Sequence, residues 1–393
     1  MLATVGLLGV AVAATSGLLE RTPLNPALLA LALGVVIGPE LLGLVDISSG
    51  MDQRVLSTAA RLLLAVGLMG VALRYPVGEL RQRVPGLLLL VLVVLPLMAG
   101  TVALGAMWIL GVPFGVAAVI GAVLSPTDPV LASSVVTGEP AERDIPVRLR
   151  QLLSVESAAN DGLALPLVLV AVALAGGTHA AHPLAGLGKA ALEVVIGTAI
   201  GAAVGTVAGH AVRRSRRGRR IEPSAKLVFP LVLAFAVLGV AGIAQGDAIL
   251  GVFVAGLVYN HLVSGPDREA EVEIDEGVNQ FLVLPVFALL GVVLPWEAWA
   301  ALGWGGPALV AVALLLRRLP WILALRRPLG LGGRDALWLG WFGPIGVAAL
   351  FYLGLAHEQG VSDPAVWHAG TLVIAASTLF HGASAAPGRH AFA

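Results

Sequence analysis

Apolar residues in this chain come in blocks of about twenty, the length of one bilayer crossing, separated by short stretches where Arg, Gly, Pro and acids concentrate. By that length rule the pattern predicts about thirteen transmembrane helices. They fall at 2–19, 24–45, 55–73, 86–110, 115–137, 147–175, 187–211, 226–243, 247–264, 277–294, 303–325, 335–356 and 365–383. The expectation is an all-α polytopic membrane protein, one transmembrane domain over residues 1–393. Composition agrees: 58% of the 393 residues are hydrophobic and 12% charged, against about 25% charge in soluble domains. Mean hydropathy is +0.92. So many spans leave no room for a soluble catalytic or nucleotide-binding domain, and no Walker-type phosphate loop is present. Cysteine is absent, which excludes disulfides and thiolate chemistry. The first block lacks a basic flank and reads as a retained span.

Charge fixes an orientation. With the N-terminus outside and the C-terminus cytoplasmic, 21 of the 24 basic residues fall in inner loops; only Arg54, Arg61 and Lys189 lie on or near the outer side. That bias marks cytoplasmic loops, so the expected location is the cytoplasmic membrane. The run RRSRRGRR at 213–220 reads as a juxtamembrane anchor, with an anionic-lipid site as the alternative. Glu269, Glu271, Glu273, Asp275 and Glu276 read as a solvated face on the same side, with a pH-sensing role as the alternative. Trp296, Trp299 and Trp304 read as an interfacial belt. His179, His182, His357, His368 and His381 show no metal-ligand spacing, and no cofactor or nucleic-acid partner is expected.

Against this background two acids inside apolar blocks stand out, because a carboxylate at membrane depth is costly unless solvated or paired. The first is Asp128, in LSPTDPVLASS. Pro126 and Pro129 flank Thr127 and Asp128, and two prolines so close should open the helix. The freed carbonyls, the Thr127 hydroxyl and the Asp128 carboxylate are oxygen ligands suited to a hard cation. Asp128 can also cap the second half-helix, and the two readings are compatible. The second acid is Asp161, in VESAANDGLALP. Ser157 and Asp161, four residues apart, share a helix face; Glu156 and Asn160 share another, about 100° away. The first stripe can face an ion while the second is tied to structural partners. Glu156 is a buried anion in need of a cation. Arg317 and Arg318, inside the apolar run ALLLRRLPWILA, either snorkel to the inner interface or supply that partner. Gly343, Pro344 and Gly346 in WFGPIG predict a second break, and breaks at corresponding points of two halves mark inverted-repeat transporters.

SPTDPV, ESAANDGLALP, RRLP and WFGPIG, in this order and spacing, resemble the NhaP/NHE branch of the monovalent cation:proton antiporters over essentially the whole membrane core. The resemblance implies an NhaA-like fold: inverted repeats, two crossed discontinuous helices, a core domain around spans 86–211 and 277–383, a dimerisation domain from the rest, and a homodimer. It implies Asp161 as the cation- and proton-carrying acid, with Thr127, Asp128, Ser157 and Glu156 around the cation and Asn160 as the mark of electroneutral one-for-one exchange. It gives Glu156 an arginine partner, Arg317 rather than Arg318 by its distance to Pro320. One position departs from the pattern: Ile345 stands where many similar proteins carry arginine, so a positive charge near the second break is missing.

The function expected is secondary antiport of Na+ (or Li+ or K+) against H+ by alternating access, with no enzymatic activity. An ion-coupled organic-anion symporter of the same fold would want half-helix N-termini or cations aimed at its cargo. A non-transporting receptor or scaffold is the remaining alternative, opened by Ile345.

Overall fold

The computed structural model describes residues 25–45, 52–74, 78, 83–176, 183–218, 223–263 and 267–392. All regular secondary structure among them is helical. The helices that matter here are α1 (Pro26–Ile37), α2 (Asp52–Arg74), α3 (Val84–Leu110), α4 (Phe114–Val123), α5 (Pro129–Val136), α6 (Glu139–Asp144), α7 (Val147–Leu174, bent at Ala164), α8 (Pro183–Gly218), α9 (Pro223–Ile243) and α10 (Ala248–Leu262). They continue with α11 (Asp267–Val292), α12 (Trp296–Ala301), α13 (Gly305–Ala324), α14 (Gly333–Trp341), α15 (Val347–Glu358) and α16 (Pro364–Phe392). Among the described residues, six helical stretches are long and apolar enough to cross a membrane alone: Val55–Arg74, Val84–Leu110, Val147–Leu174, Gly188–Arg214, Gly305–Ala324 and Pro364–Phe392.

Each predicted span from 24–45 onward contains a helix; the span at 2–19, with Arg21, lies outside the described residues, as do His179 and His182. Several limits move. The helix in the 24–45 span stops at Ile37, and Gly38 follows in an extended conformation. The acidic stretch at 269–276 continues the helix of its span back to Asp267, and the start of the RRSRRGRR run extends α8 to Gly218. Charged residues tolerate helix well, so hydropathy marks where a helix leaves the apolar layer rather than where it ends. The 303–325 span holds an unpredicted irregularity, a π-turn at Val312–Leu316.

Small residues set how the helices meet. Gly197, Gly201, Gly205 and Gly209 form a ladder along α8. A Cβ on the first three would collide with the backbone of Asp247, Gly251 and Ala255 in that order, so α8 and α10 run parallel in backbone contact. Without a hydrophobic force between helices in lipid, such close approach is what van der Waals packing needs. Gly34 of α1 meets Ala288 of α11 in the same way. At the centre stands α2, buried on nearly every side from Leu63 to Leu73, which packs on α10, α11 and α15.

Candidate functional site

Two helices are interrupted where the sequence predicts. Leu124–Asp128 separates α4 from α5, and Phe342–Gly346 separates α14 from α15. The two unwound segments cross: the Asp128 N–H donates to the Pro344 carbonyl at 2.8 Å. Crossing brings two half-helix N-termini, partly positive, and two C-termini, partly negative, into one buried volume. Each pair is met by one opposite charge.

Asp128 takes the N-termini. Its Oδ1 accepts from Val130 N at 2.7 Å and Leu131 N at 3.3 Å, capping α5. Its Oδ2 accepts from Val347 N, the first residue of α15. Gly346 permits this, since a Cβ there would run into Asp128 Oδ2. Arg317 takes the C-termini. Its Nη1 donates to the carbonyls of Leu124 and Ser125 at 2.9 Å and of Pro126 at 3.1 Å, and its Nη2 donates to the Gly343 carbonyl.

The neighbouring arginine does something else. Arg318 Nη1 and Nη2 donate to Glu156 Oε1 and Oε2 at 2.7 and 2.8 Å, a bidentate ion pair, and Nε donates to Leu339 O at 3.0 Å. The preference for Arg317 as Glu156's partner is therefore corrected to Arg318. The snorkelling alternative is overturned as well, because the two arginines are 2% and 1% exposed. Consecutive residues of a regular helix point about 100° apart. Here the π-turn ends with Arg317 N donating to Val312 O, and the chain leaves the helix ahead of Pro320, so both guanidinium groups turn inward. Nothing in the apolar run signals that irregularity.

Ile345 also reads differently in place. It is fully buried, and its N–H donates to Ser377 Oγ at 2.7 Å. The positive charge expected from that position is not missing from the second break. Arg317 brings one from α13 onto Gly343.

Thr127 and the acidic stripe of α7 lock together. Asn160 Oδ1 accepts from Thr127 N at 3.1 Å, and Asn160 Nδ2 donates to Thr127 Oγ1 at 2.8 Å and to Glu156 Oε1 at 3.0 Å. Thr127 Oγ1 and Ser157 Oγ share a hydrogen bond of 2.8 Å. The Glu156–Asn160 stripe is thus tied to the frame, as its phase predicts, and the Ser157–Asp161 stripe holds what remains. Asp161 is 1% exposed, and neither carboxylate oxygen has a hydrogen-bond partner among protein atoms. A buried carboxylate left so is strongly penalised unless a proton or cation joins it.

Sequence reading missed two contributors. Tyr352 of α15 donates its hydroxyl to the Asp161 carbonyl and lies 3.5 Å from that of Gly162. Pro166 removes the N–H that would otherwise serve Gly162, and that proline was the available signal. His381 of α16, one of the histidines without metal-ligand spacing, lies 2.9 Å from the Trp341 carbonyl through Nε2 and 3.2 Å from Ser377 Oγ through Nδ1. Ser377 and His381 so hold the end of α14 at Trp341 and the unwound segment at Ile345 from one face of α16.

With this geometry in view, comparison with known proteins is specific. The family described as "Sodium/hydrogen exchanger, transmembrane" matches residues 7–388. A probable Na(+)/H(+) antiporter of Schizosaccharomyces pombe is 29% identical over 354 residues, covering 86% of this chain and 46% of that protein. Na(+)/H(+) antiporter 2 of Zygosaccharomyces rouxii is 29% identical over 347 residues, covering 84% and 42%. The chain spans less than half the length of these two relatives. The solved sodium proton antiporter MjNhaP1 from Methanocaldococcus jannaschii at pH 8 superposes with a TM-score of 0.76 over 99% of this chain and 97% of that one, at 17% identity, a likeness of fold. With crossed broken helices and a family match over residues 7–388, this multi-pass membrane chain belongs to the transmembrane sodium/hydrogen exchanger family.

Proposed function

We propose that the chain is a secondary antiporter exchanging Na+, or another small monovalent cation, for H+ by alternating access, one for one. The observation that carries this reading is the contrast at the crossing. Asp128, Glu156, Arg317 and Arg318 all have hydrogen-bond or ion-pair partners there, while both oxygens of Asp161 are unpartnered. Asp161 is the carrier. A cation favours its carboxylate and desolvation favours its protonated form, so the two compete for one group. Ser157, on the same face of α7, and Thr127, bonded to it at 2.8 Å, offer hydroxyl oxygens to the cation. Asp128 and Glu156 act through the frame, since their oxygens serve half-helix N-termini and Arg318. With Asn160 in place of a second acid, one exchanging charge implies electroneutral exchange. No cofactor enters, and no bond of a substrate is made or broken.

The organic-anion alternative fits less well, because both half-helix N-termini that would greet an anion are already taken by Asp128. The reading extends to a homodimer in the cytoplasmic membrane, N-terminus outside, with core and dimerisation domains moving against each other; the resemblance and the distribution of basic residues support it. In everted vesicles, adding Na+, Li+ or K+ should collapse an imposed pH gradient in a way that Asp161→Ala abolishes. No response to any of the three sinks the proposal. A membrane potential that changes the rate at zero chemical gradient would contradict one-for-one exchange.

A further inference from the structure

Asp161 shares its peculiarity with one other acid. Among the described residues, the buried carboxylate oxygens without a partner are the two of Asp161 and Oδ2 of Asp247. Asp247 is 4% exposed and N-caps α10, its Oδ1 accepting from Leu250 N at 2.9 Å. Its backbone N–H donates to the Glu193 carbonyl of α8 at 2.7 Å. The turn that carries it is pressed onto α8: a Cβ on Gly246 would lie 2.7 Å from Gly197 N. Capping needs one oxygen. The second is surplus to that role, and an orphaned buried polar atom calls for an explanation.

The groups around it describe a route. From α2 comes Arg61, whose Nη2 lies 3.1 Å from the place of a Cβ on Gly242 and whose Nε is buried without a partner. From α8 comes Glu193, with Lys189 at 3.8 Å. Arg61 attracts the Asp247 charge and Glu193 repels it. From α15 comes Tyr352, whose hydroxyl feels the charges of both Asp247 and Asp161 and donates to the Asp161 carbonyl. From α7 comes Asp161 itself. There α7 and α10 touch, since a Cβ on Gly162 would lie 2.8 Å from Leu250 Cβ. The turn of α7 that holds Asp161 thus abuts the first turn of α10, which Asp247 caps.

We propose that Asp247 is a second proton-binding carboxylate, passing protons between Asp161 and the end of the bundle opposite the basic loops, past the Tyr352 hydroxyl. That end is the outer one in the N-out orientation. The inference rests on the antiport reading and adds a station to it. In the outward step a proton leaves the Asp161 carboxyl, binds Asp247 Oδ2, and is then released to water. Asp161 is left as the carboxylate that takes the cation, and no other bond changes. Arg61 stabilises the Asp247 carboxylate that remains after release, and Glu193 keeps it from becoming a permanent ion pair.

The test uses Asp247→Asn and Asp247→Ser, because both side chains cap helices well and neither titrates. The full chain is reconstituted in one orientation, and Na+ flux is followed while pH is varied on each side separately. Infrared difference spectra of the purified protein follow its buried carboxyl bands. Wild type should show a carboxyl band that titrates and is missing from both variants. Both variants should keep the wild-type melting temperature and inner-side pH dependence but lose the dependence of rate on outer pH. Asp247→Glu should restore part of it, with the band shifted. Variants that exchange with an unchanged outer-pH profile, or a wild type without an Asp247 band, overturn the proposal and leave Asp247 as a cap. A wild type that shows the Asp247 band but exchanges no cation sinks the antiport reading while supporting proton binding here.

Discussion

Asp128 and Asp161 are both carboxylates at the heart of the bundle, and the frame treats them in opposite ways. Asp128 is saturated by three backbone N–H groups from two half-helices, mirrored by Arg317 on four carbonyls of the opposite ends. Asp161 has none. A charge that is fully matched holds structure and has little left to exchange. A charge that is unmatched is costly in the free protein, and that cost is what a proton or cation relieves. On the antiport reading, the difference separates what holds the fold from what would exchange: the crossing is fixed electrostatically, and one neighbouring acid is left open.

The largest effect should come from Asp161. Asp161→Asn replaces an unpartnered buried carboxylate by a neutral amide, which costs less to bury, so vesicle exchange should vanish while thermal unfolding of the purified protein stays level or rises. A large loss of stability would mean that Asp161 belongs to the frame after all. Next comes the matched side. Glu156→Gln strands Arg318 in the interior, and breaking such a pair costs about 3–5 kcal/mol. Chemical denaturation should read that loss, and replacing both residues (Glu156→Gln with Arg318→Met) should recover much of it, because the stranded charge is then gone. A smaller effect is expected at the close approach between the segments. Gly346→Ala places a Cβ against Asp128 Oδ2, freeing the α15 N-terminus at a cost of about 1–3 kcal/mol; an unchanged melting temperature would show the cap to be dispensable. The smallest lies outside the membrane. Arg143 Nε sits 2.8 Å from Asp144 Oδ1 and holds that carboxyl below the usual carboxylate range. The depressed group contributes stability above its unfolded value, and that contribution is lost as pH falls through the folded value. Asp144→Asn should therefore lower stability slightly at neutral pH, by an amount that shrinks to nothing as pH falls through the folded value, so that the acid side of the profile is flatter than in wild type.

How much of this could be read beforehand follows from what each feature depends on. The two breaks were legible because proline removes a donor and glycine admits close backbone, both properties of the residue itself. The split of α7 into a tied and an open stripe was legible because helical phase is fixed by spacing. The assignment of the two arginines was not. Arg317 and Arg318 are chemically identical neighbours, and only the π-turn before them, a product of packing, sends one to the broken ends and the other to Glu156. The surplus oxygen of Asp247 was illegible for a similar reason, since its surroundings come from α2, α8 and α15, far apart in the chain. Ile345 was read as a missing charge because sequence compares position with position, whereas the field at Gly343 sums over every helix nearby.

The sequence by itself determined a helical membrane protein, the place of its two interruptions, and the helix face on which each acid of α7 lies. Those are local properties of apolar length, proline, glycine and helical period. Tertiary structure alone decided which charges neutralise each other. Coulomb interactions in a low-dielectric interior depend on distances between segments that sequence separation does not report, so the pairing of Asp128 with two N-termini, and the freedom of Asp161, exist only once the helices cross.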